Sequence, residues 1–335
     1  MIEWLQHSSK AIRGFPLGDP HERRFPVYLP PNYSPKNSQP YPVVFMLAGW
    51  SGRGARYLQE ESVFVPTLDQ RFDRAISEHR MSPFIGVLVD GSSKLGCSQY
   101  LNSPSIGNYM DYICDELVNF IDSKFHTHKS ADYRCVAGHS SGGFGAFNLG
   151  FRRPDVFPWL CSSAGDSFFE LCFWPLIPGG IEEIEKAGGS PAEFVEKFLA
   201  EKNPSNLGGK KFNTMLLLSM ACCFAPNPKV PVLFGDVFFD TRTGAIRPDI
   251  WKKYLAWDPI HMADEFSSNL KKLKFVLLEA GTGDEYGLQL GHRQIARKFE
   301  QYGVPFELNE YPGGHSGHHW RFEERLTKIL GKMTT

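Results

Sequence analysis

The sequence lacks any apolar run near the ~20 residues that a membrane-spanning helix needs. It also lacks the pattern of a secretory signal, because its first residues, MIEWLQHSSK, contain no charged segment followed by an apolar one. Neither sign of charge is in excess, since 36 Lys and Arg residues are balanced by 37 Asp and Glu residues. A nucleic-acid partner normally requires a basic stripe. These absences predict a cytoplasmic protein with no membrane span and no nucleic-acid partner.

The cysteines have neither the number nor the spacing of a disulfide framework or a metal site. The seven residues cannot all pair within one chain, and none forms a CxxC motif. Most lie in apolar runs, where a free cysteine packs as a small hydrophobic side chain. We therefore expect free thiols, and we expect neither a metal ion nor a cofactor.

The sequence does contain an alternation of strand and helix patterns. Tyr109–Phe125 and Gly291–Tyr302 carry the apolar stripe of amphipathic helices. Prolines on both sides of the first predicted strand indicate a sheet edge. The alternation predicts an α/β fold, with a mostly parallel central sheet and helices on both faces. The predicted strands are Val27–Leu29, Val43–Leu47, Phe84–Val89, Arg134–Ala137, Leu160–Ser163, Phe275–Glu279 and Phe306–Glu310.

Residues 166–255 interrupt this alternation with proline and glycine clusters and with short helical segments. We interpret residues 1–165 and 256–335 as one core. Residues 166–255 are then an insertion over the carboxyl-terminal edge of the sheet, which acts as a lid or cap. The alternative is an elaborated strand-to-helix connection that only packs against the core.

The strongest functional motif is Gly138-His139-Ser140-Ser141-Gly142, a G-x-S-x-G sequence between a short apolar strand and a helix. A serine on such a sharp turn has strained backbone geometry, and side chains two residues away would clash, so glycine is required there. The N-terminus of the following helix favours developing negative charge. Ser140 is therefore the predicted nucleophile. Ser141 is the rival hydroxyl, but glycines do not flank it on both sides.

A serine hydroxyl needs a histidine to accept its proton. His315 is the predicted base, because it lies in a glycine-rich loop after the last predicted strand and can turn back over the sheet edge. His318 and His319 begin the last helix and are a second possibility, since they could also reach the pocket. His292 lies on a helical pattern and is predicted at the surface, and His261 follows the insertion without a turn signal.

The histidine must in turn be oriented by a carboxylate. Asp284 is the predicted acid, because it follows an apolar strand in a glycine-rich loop and keeps the chain order nucleophile, acid, histidine. Glu285 is its adjacent substitute. Asp166 ends the preceding strand and is the main alternative, since some enzymes place the acid there.

Acyl transfer creates an oxyanion that needs preorganised N–H donors. The predicted donors are the backbone N–H groups of Ser141 and of Trp50, which follows the strand Val43–Leu47. The Trp50 ring either walls the substrate pocket or packs in the core. The aromatic run 168–174, which follows Asp166, either lines the same pocket or packs under the insertion. The predicted pocket residues are Trp50, His139, Phe168, Phe169 and Trp174.

Several stretches of the sequence resemble those of known enzymes. They are LGDP (17–20), RFPVYLPPNY (24–33), YPVVF (41–45), NSP (102–104), ELVNFID (116–122), GHSSGG (138–143) and GGH (313–315). Here the chain resembles the putative-esterase family, which includes esterase D, enterochelin esterase, feruloyl esterase and antigen 85-like enzymes. The resemblance covers roughly residues 15–165 and 270–320. It implies the α/β-hydrolase fold, with Ser140 as nucleophile, His315 as base and Asp284 as acid. Many relatives have His-Gly where this chain has Ala48-Gly49, which alters the oxyanion loop but not its backbone donor.

Together these features predict a serine-dependent carboxylic ester hydrolase that cleaves a small-molecule ester through a Ser-His-Asp triad and an acyl-enzyme. An acyltransferase with the same triad would use an alcohol in place of water, and the sequence does not separate the two. A catalytically silent binding module is a third possibility, although Ser140, Asp284 and His315 are all present. A metal site at His315, His318 and His319 is a further alternative without a recognised zinc spacing. The oligomeric state is left open.

Overall fold

The centre of the fold is an eight-stranded sheet. The computed structural model describes residues 1–60 and 62–334. The strands occur in the order β1-β2-β4-β3-β5-β6-β7-β8; β3 to β8 run parallel, and β2 is antiparallel to both of its neighbours. This arrangement confirms the predicted α/β fold with a mostly parallel sheet. The strands are β1 Ile2–Ser8, β2 Glu22–Tyr28, β3 Val43–Leu47, β4 Ile85–Val89, β5 Arg134–His139, β6 Trp159–Ser163, β7 Phe275–Gly281 and β8 Phe306–Tyr311.

Helices connect the strands, and among the described residues none is both long and apolar enough to cross a membrane. They are α1 Leu68–Ser77, α2 Tyr109–Asp111, α3 Val118–Lys124, α4 Ser141–Arg152, α5 Phe169–Phe173, α6 Ile177–Lys186, α7 Pro191–Ala200, α8 Lys210–Ser219, α9 Ala221–Phe224, α10 Pro248–Leu255, α11 Pro259–Glu265, α12 Ser267–Leu270, α13 Leu288–Tyr302 and α14 Phe322–Thr334. A π-helical segment, Tyr112–Leu117, joins α2 to α3. Short 3₁₀ segments are Gly54–Leu58, Ala131–Tyr133, Trp174–Leu176, Pro204–Leu207 and His319–Arg321. Two small two-stranded sheets pair Ser92–Ser93 with Gly96–Cys97 and Asn102–Ser103 with Gly107–Asn108.

The two faces of the sheet carry separate hydrophobic clusters, because successive side chains of a strand point to opposite faces. In β3, Val44 and Met46 join a cluster that includes residues of α1 and α14. The alternate residues Val43, Phe45 and Leu47 join the larger cluster, which includes residues of α3, α4 and α13. Helices therefore cover both faces, as the sequence predicts.

The edge of the sheet differs from the prediction. β1 consists of exposed and half-buried residues without an apolar run, and its sequence therefore gives no strand signal. β1 rather than β2 forms the edge, so the edge position predicted for Val27–Leu29 is wrong. The pairing of β2 with β4 is limited to Val27 and Tyr28, so Pro26 removes no hydrogen bond on that side of the strand.

Residues 166–255 contain α5 to α10 and add no strand to the central sheet. Phe169, Phe173 and Phe224 of this segment belong to the larger hydrophobic cluster. The segment therefore packs as part of the main core. Its action as a lid or cap stays a prediction.

Candidate active site

The turn that carries Ser140 joins β5 to α4. β5 ends at His139 and α4 begins one residue after Ser140, which has a positive φ of 58°. Such left-handed backbone is strained for a residue other than glycine. A Cβ atom on Gly138 would lie 2.2 Å from Gly142 O, and one on Gly142 would lie 2.0 Å from Leu47 O. The two glycines of the motif are therefore required by close backbone packing.

A continuous chain of hydrogen bonds joins Ser140 to His315 and Asp284. Ser140 Oγ lies 3.0 Å from His315 Nε2, and Asp284 Oδ2 lies 2.9 Å from His315 Nδ1. An ionised carboxylate only accepts hydrogen bonds, so it favours the proton on Nδ1 and leaves Nε2 to accept the Ser140 proton. The structure thus brings together the three residues that the sequence predicts as nucleophile, base and acid.

Two glycine-rich loops hold the carboxylate and the imidazole. Asp284 follows β7 with a fully buried side chain, and its Oδ1 accepts the backbone N–H of Tyr286 at 2.9 Å. His315 follows β8, and Glu285 Oε2 accepts its backbone N–H at 2.8 Å. Glu285, the predicted substitute acid, therefore holds the backbone of the histidine while Asp284 contacts its ring.

The other predicted candidates have different contacts. Asp166 is buried beside the nucleophile and accepts the Ser141 hydroxyl proton at 2.9 Å, rather than contacting the ring of His315. The His318 ring packs on Tyr311 with 4.7 Å between centroids, and His261 is exposed. Among the described residues no group of three or more His, Cys, Asp or Glu side chains is arranged to hold a metal ion.

The predicted surface position of His292 is wrong. Its ring is fully buried, and its Nε2 accepts the backbone N–H of Gly165 at 3.0 Å. Burial lowers the pKa of His292 to about 4. The spacing of His292 from Ile295 and Phe299 already puts it on the apolar stripe of α13. The histidine is therefore a neutral core residue that holds the backbone next to Asp166.

The loop after β3 runs directly beside the nucleophile. A Cβ atom on Gly49 would lie 3.3 Å from Ser140 Cβ and 3.3 Å from His139 O. On the other side, Ser141 is the first residue of α4, where a backbone N–H has no acceptor within the helix. The segments that contain both predicted oxyanion donors, Ser141 and Trp50, therefore flank Ser140.

A cavity of about 440 Å³ opens in front of Ser140. The Trp50 ring lines it, packs edge-on against Phe212 at 4.6 Å and donates from Nε1 to Ser219 Oγ at 2.9 Å. Its ring is also buried, so the two interpretations of Trp50 both hold. Residues 166–255 form one side of the cavity through Asp166, Cys172, Phe173, Leu176, Phe212, Asn213 and Leu216.

Of the predicted pocket residues, Trp50 and His139 line the cavity, whereas Phe168, Phe169 and Trp174 do not. Phe168 has a φ of 55°, and the short helix that follows it directs Phe169 into the core. Trp174 is 39% exposed and packs against a tryptophan of α10 with 5.5 Å between ring centroids. The prediction is wrong for these three residues because the helical turn makes later members of the same run face the cavity.

Other residues around the cavity carry no motif and are absent from the prediction. Tyr286 OH donates to Asn213 Oδ1 at 3.0 Å and so links the acid loop to α8. Phe212 and Leu216 are four residues apart, which indicates one face of a helix. The sequence does not show which way that face points. The unpredicted lining residues include Arg56, Tyr57, Leu176, Phe212, Asn213, Leu216, Tyr286, Ser316 and Gly317.

Burial controls the protonation of the groups around Ser140. It raises the pKa of Asp166 to about 6, and it lowers the pKa of His319 to about 4. It also holds the pKa of His139 well below the usual range, with the positive charge of a protonated His315 as a second cause. The His139 and His315 ring centroids are 4.8 Å apart. A neutral His139 therefore does not oppose positive charge on His315.

Comparison with known proteins identifies relatives over most of the chain. The family described as "Putative esterase" matches residues 20–333, including residues 166–255, for which the resemblance in sequence offers no counterpart. An endo-1,4-beta-xylanase/feruloyl esterase of Xylanibacter ruminicola is 26% identical over 166 residues. That match spans 48% of this chain and 20% of the relative, so the chain corresponds to about a fifth of that protein's length.

Solved structures of similar fold cover nearly the whole chain. A ferulic acid esterase superposes with a TM-score of 0.64 at 16% identity, over 99% of this chain and 98% of the other. An S-formylglutathione hydrolase of Staphylococcus aureus has a TM-score of 0.57 at 17% identity, over 100% of this chain and 99% of the other. These likenesses confirm the α/β-hydrolase fold. The chain belongs to the Putative esterase family, in agreement with the ester hydrolase class expected from its sequence.

Proposed function

We propose that the protein is a serine-dependent carboxylic ester hydrolase that works through an acyl-enzyme. The observation that carries the proposal is the hydrogen-bonded chain from Ser140 through His315 to Asp284, at the wall of a cavity. Groups in this order supply a nucleophile, a proton acceptor and a carboxylate that orients the acceptor. Membership of an esterase family supports the same class of reaction.

In the first half-reaction Ser140 Oγ attacks the ester carbonyl carbon while His315 Nε2 takes the hydroxyl proton. The carbonyl electron pair moves to its oxygen, which the backbone N–H groups of Ser141 and Trp50 stabilise. One such donor contributes about 10²–10³ in rate. His315 then gives its proton to the departing oxygen as the C–O bond breaks. An alcohol leaves, and the acyl group remains on Ser140.

In the second half-reaction water replaces the alcohol. His315 takes a proton from the water, whose oxygen attacks the acyl carbon, and then returns the proton to Ser140 Oγ as the carboxylic acid leaves. Asp284 keeps the imidazole in the required tautomer and stabilises its positive charge in both halves. His139 adds no opposing charge, because burial keeps its pKa low.

The cavity favours an ester with a bulky apolar acyl group. Trp50, Phe173, Phe212 and Leu216 line it with aromatic and aliphatic surface. Burial of such surface contributes about 25 cal/mol per Å². Two similar proteins are named feruloyl esterase and ferulic acid esterase, names that refer to an aromatic acyl group. We therefore propose an aromatic or comparably bulky acyl half.

Stopped-flow hydrolysis of p-nitrophenyl acetate tests the proposal. An acyl-enzyme predicts a burst of p-nitrophenol equal to the enzyme concentration wherever deacylation is slower than acylation. Ser140→Ala should abolish both burst and turnover while the circular dichroism spectrum is unchanged. Addition of methanol then separates hydrolysis from acyl transfer, since a transferase would form mainly methyl acetate. Turnover that survives in the folded Ser140→Ala variant would contradict the proposal.

A further inference from the structure

A second cavity, of about 260 Å³, adjoins the one in front of Ser140. The two cavities share the wall formed by Arg56, Tyr57, Gly317 and His319. The two cavities are therefore immediate neighbours on either side of these residues. The proposed reaction does not involve the second cavity.

The second cavity is lined by positive charge. Arg56 and Arg71 both contribute to its wall, and none of its described lining residues is an Asp or Glu. Thr67, the N-cap of the ten-residue helix α1, also lines it. The N-terminal end of a helix adds partial positive charge. Asp69 in the first turn of α1 accepts the Thr67 hydroxyl proton and offsets part of that charge, so the two arginines are the main feature that favours a negatively charged occupant.

The guanidinium groups at this cavity have few anionic partners. Glu323 forms ion pairs with three arginines, at 3.5 Å from Arg71, 4.0 Å from Arg74 and 2.9 Å from Arg80. Arg71 Nε is buried and has no hydrogen-bond partner among the residues that the structure describes. Arg56 likewise forms no ion pair with any described residue. Arg80 has a second partner in Glu78 at 2.7 Å, so the arginines of this cavity that keep unused hydrogen-bonding capacity are Arg56 and Arg71.

His319, which lines both cavities, also has a ring nitrogen without a hydrogen-bond partner. Its Nδ1 is buried and without a hydrogen-bond partner within the described part of the chain. Burial and the neighbouring Arg56 charge lower the pKa of His319 to about 4, so the ring is neutral near pH 7. A neutral ring can donate from one nitrogen to an oxygen of a ligand.

The second cavity lies on the side of the site where the alcohol half of the ester would bind. In the proposed reaction His315 passes its proton to the departing alcohol, so the loop from 315 to 319 flanks the alcohol half. Gly317 and His319 of that loop line the second cavity. The apolar surface of Phe212 and Leu216 belongs to the first cavity alone. The second cavity therefore lies on the alcohol side.

We propose that the second cavity binds a negatively charged group, a carboxylate or a phosphate, on the alcohol half of the ester. Arg56 and Arg71 bind the anion by charge-assisted hydrogen bonds, and His319 donates at the junction of the cavities. This inference rests on the proposed ester hydrolysis for its substrate. Its binding component can be measured without turnover.

Kinetic comparison of two esters provides the first test. 4-Acetoxybenzoate carries a carboxylate on its alcohol half, and methyl 4-acetoxybenzoate is the neutral counterpart. We expect the ratio of their kcat/KM values, anionic over neutral, to fall by about ten-fold in Arg56→Gln, because one charge-assisted hydrogen bond is lost. Arg74→Gln is the matched control, since this exposed arginine of α1 lies outside both cavities and should keep the wild-type ratio.

Calorimetric titration of the Ser140→Ala protein provides the second test, because it needs no catalysis. 4-Hydroxybenzoate and phenyl phosphate should each bind more tightly than phenol, and the tighter of the two identifies the preferred anion. Arg56→Gln and Arg71→Gln should weaken anion binding by about ten-fold in this background. Equal binding of phenol and both anions, or anion binding unaffected by either substitution, would overturn the inference. Absence of ester turnover with selective anion binding would instead refute the proposed hydrolysis alone.

Discussion

Two buried carboxyls lie beside the nucleophile, and their hydrogen bonds give them different tasks. Asp284 Oδ2 contacts His315 Nδ1 at 2.9 Å. Asp166 Oδ2 accepts the Ser141 hydroxyl proton at 2.9 Å, and Gln99 Nε2 donates to the same hydroxyl at 2.8 Å. Loss of the first contact disturbs the tautomer of the base, whereas loss of the second removes a hydrogen bond from the residue that follows the nucleophile.

The two carboxyls should therefore differ as substitutions. We expect Asp284→Asn to lower kcat by about 10⁴, because the amide favours the wrong tautomer of the histidine. Asp166→Asn keeps an acceptor for the Ser141 hydroxyl and should lower kcat by less than about ten-fold. Steady-state hydrolysis of p-nitrophenyl acetate at pH 8 measures both. A larger loss of kcat in Asp166→Asn than in Asp284→Asn would contradict the assignment of Asp284 as the acid that orients His315.

The raised pKa of Asp166 predicts a dependence of stability on pH. Burial raises this pKa from 3.8 to about 6, so the unfolded chain ionises at lower pH than the folded protein. The folded state then loses relative stability as pH rises from about 4 to 6, by on the order of 3 kcal/mol. Asp166→Asn cannot ionise. The melting temperature of the variant minus that of the wild type should therefore rise between pH 4 and 7. A difference that stays constant or falls would contradict the raised pKa of Asp166.

The sequence identifies which types of residue form the site better than it chooses between two residues of the same type. Ser140, His315 and Asp284 all lie in glycine-rich turns next to strands, which is a local pattern. The sequence favours Asp284 and keeps Asp166 as an alternative, because the two follow β7 and β6, which are neighbours in the sheet. The path of each loop decides which carboxylate reaches the imidazole, and that path depends on contacts distant in sequence.

At the scale of elements, α8 forms the apolar wall opposite the nucleophile. Phe212 and Leu216 line the cavity from this helix, and Ser219 accepts the hydrogen bond of the Trp50 ring. The prediction placed this task on the aromatic run near α5. Phe173 of that run does line the cavity, whereas Phe168, Phe169 and Trp174 do not. The left-handed backbone at Phe168 sets the phase of the short helix, and a sequence pattern does not specify that phase.

Substitution of α8 should change the choice of acyl group. We expect Phe212→Ala to shift the preferred p-nitrophenyl ester towards longer chains, because removal of the ring enlarges the cavity. Trp174→Ala is the control, since this exposed tryptophan lies outside the cavity and should leave the preference unchanged. A series of esters from acetate to octanoate measures the shift. The same profile for Phe212→Ala and wild type would refute the role of α8.

At the scale of the whole molecule, the alternation of strands and helices is sufficient to predict the layered α/β architecture. The internal strands are buried on both faces and therefore read as continuous apolar runs. β1 escapes prediction because an edge strand buries too little surface to need such a run. The arrangement of residues 166–255 follows from tertiary packing against the core, which leaves no periodic signal.

The whole fold should be stable without disulfides. All seven cysteines are free and buried, and burial raises the pKa of the Cys97 thiol to about 12. We expect a reductant to leave the melting temperature unchanged. The native protein should react negligibly with a thiol reagent, and the unfolded protein should react at all seven positions. A melting temperature that falls on reduction would indicate a disulfide and contradict this state.

The convergence of loops around Ser140 makes one hydroxyl reactive. Labelling with a fluorophosphonate, followed by mass spectrometry of the peptides, tests this claim directly. We predict one phosphonyl group per chain on Ser140, and no label in Ser140→Ala even though the adjacent Ser141 hydroxyl is retained. Label on Ser141 or on another residue, or a folded wild-type protein that takes up none, would contradict the account.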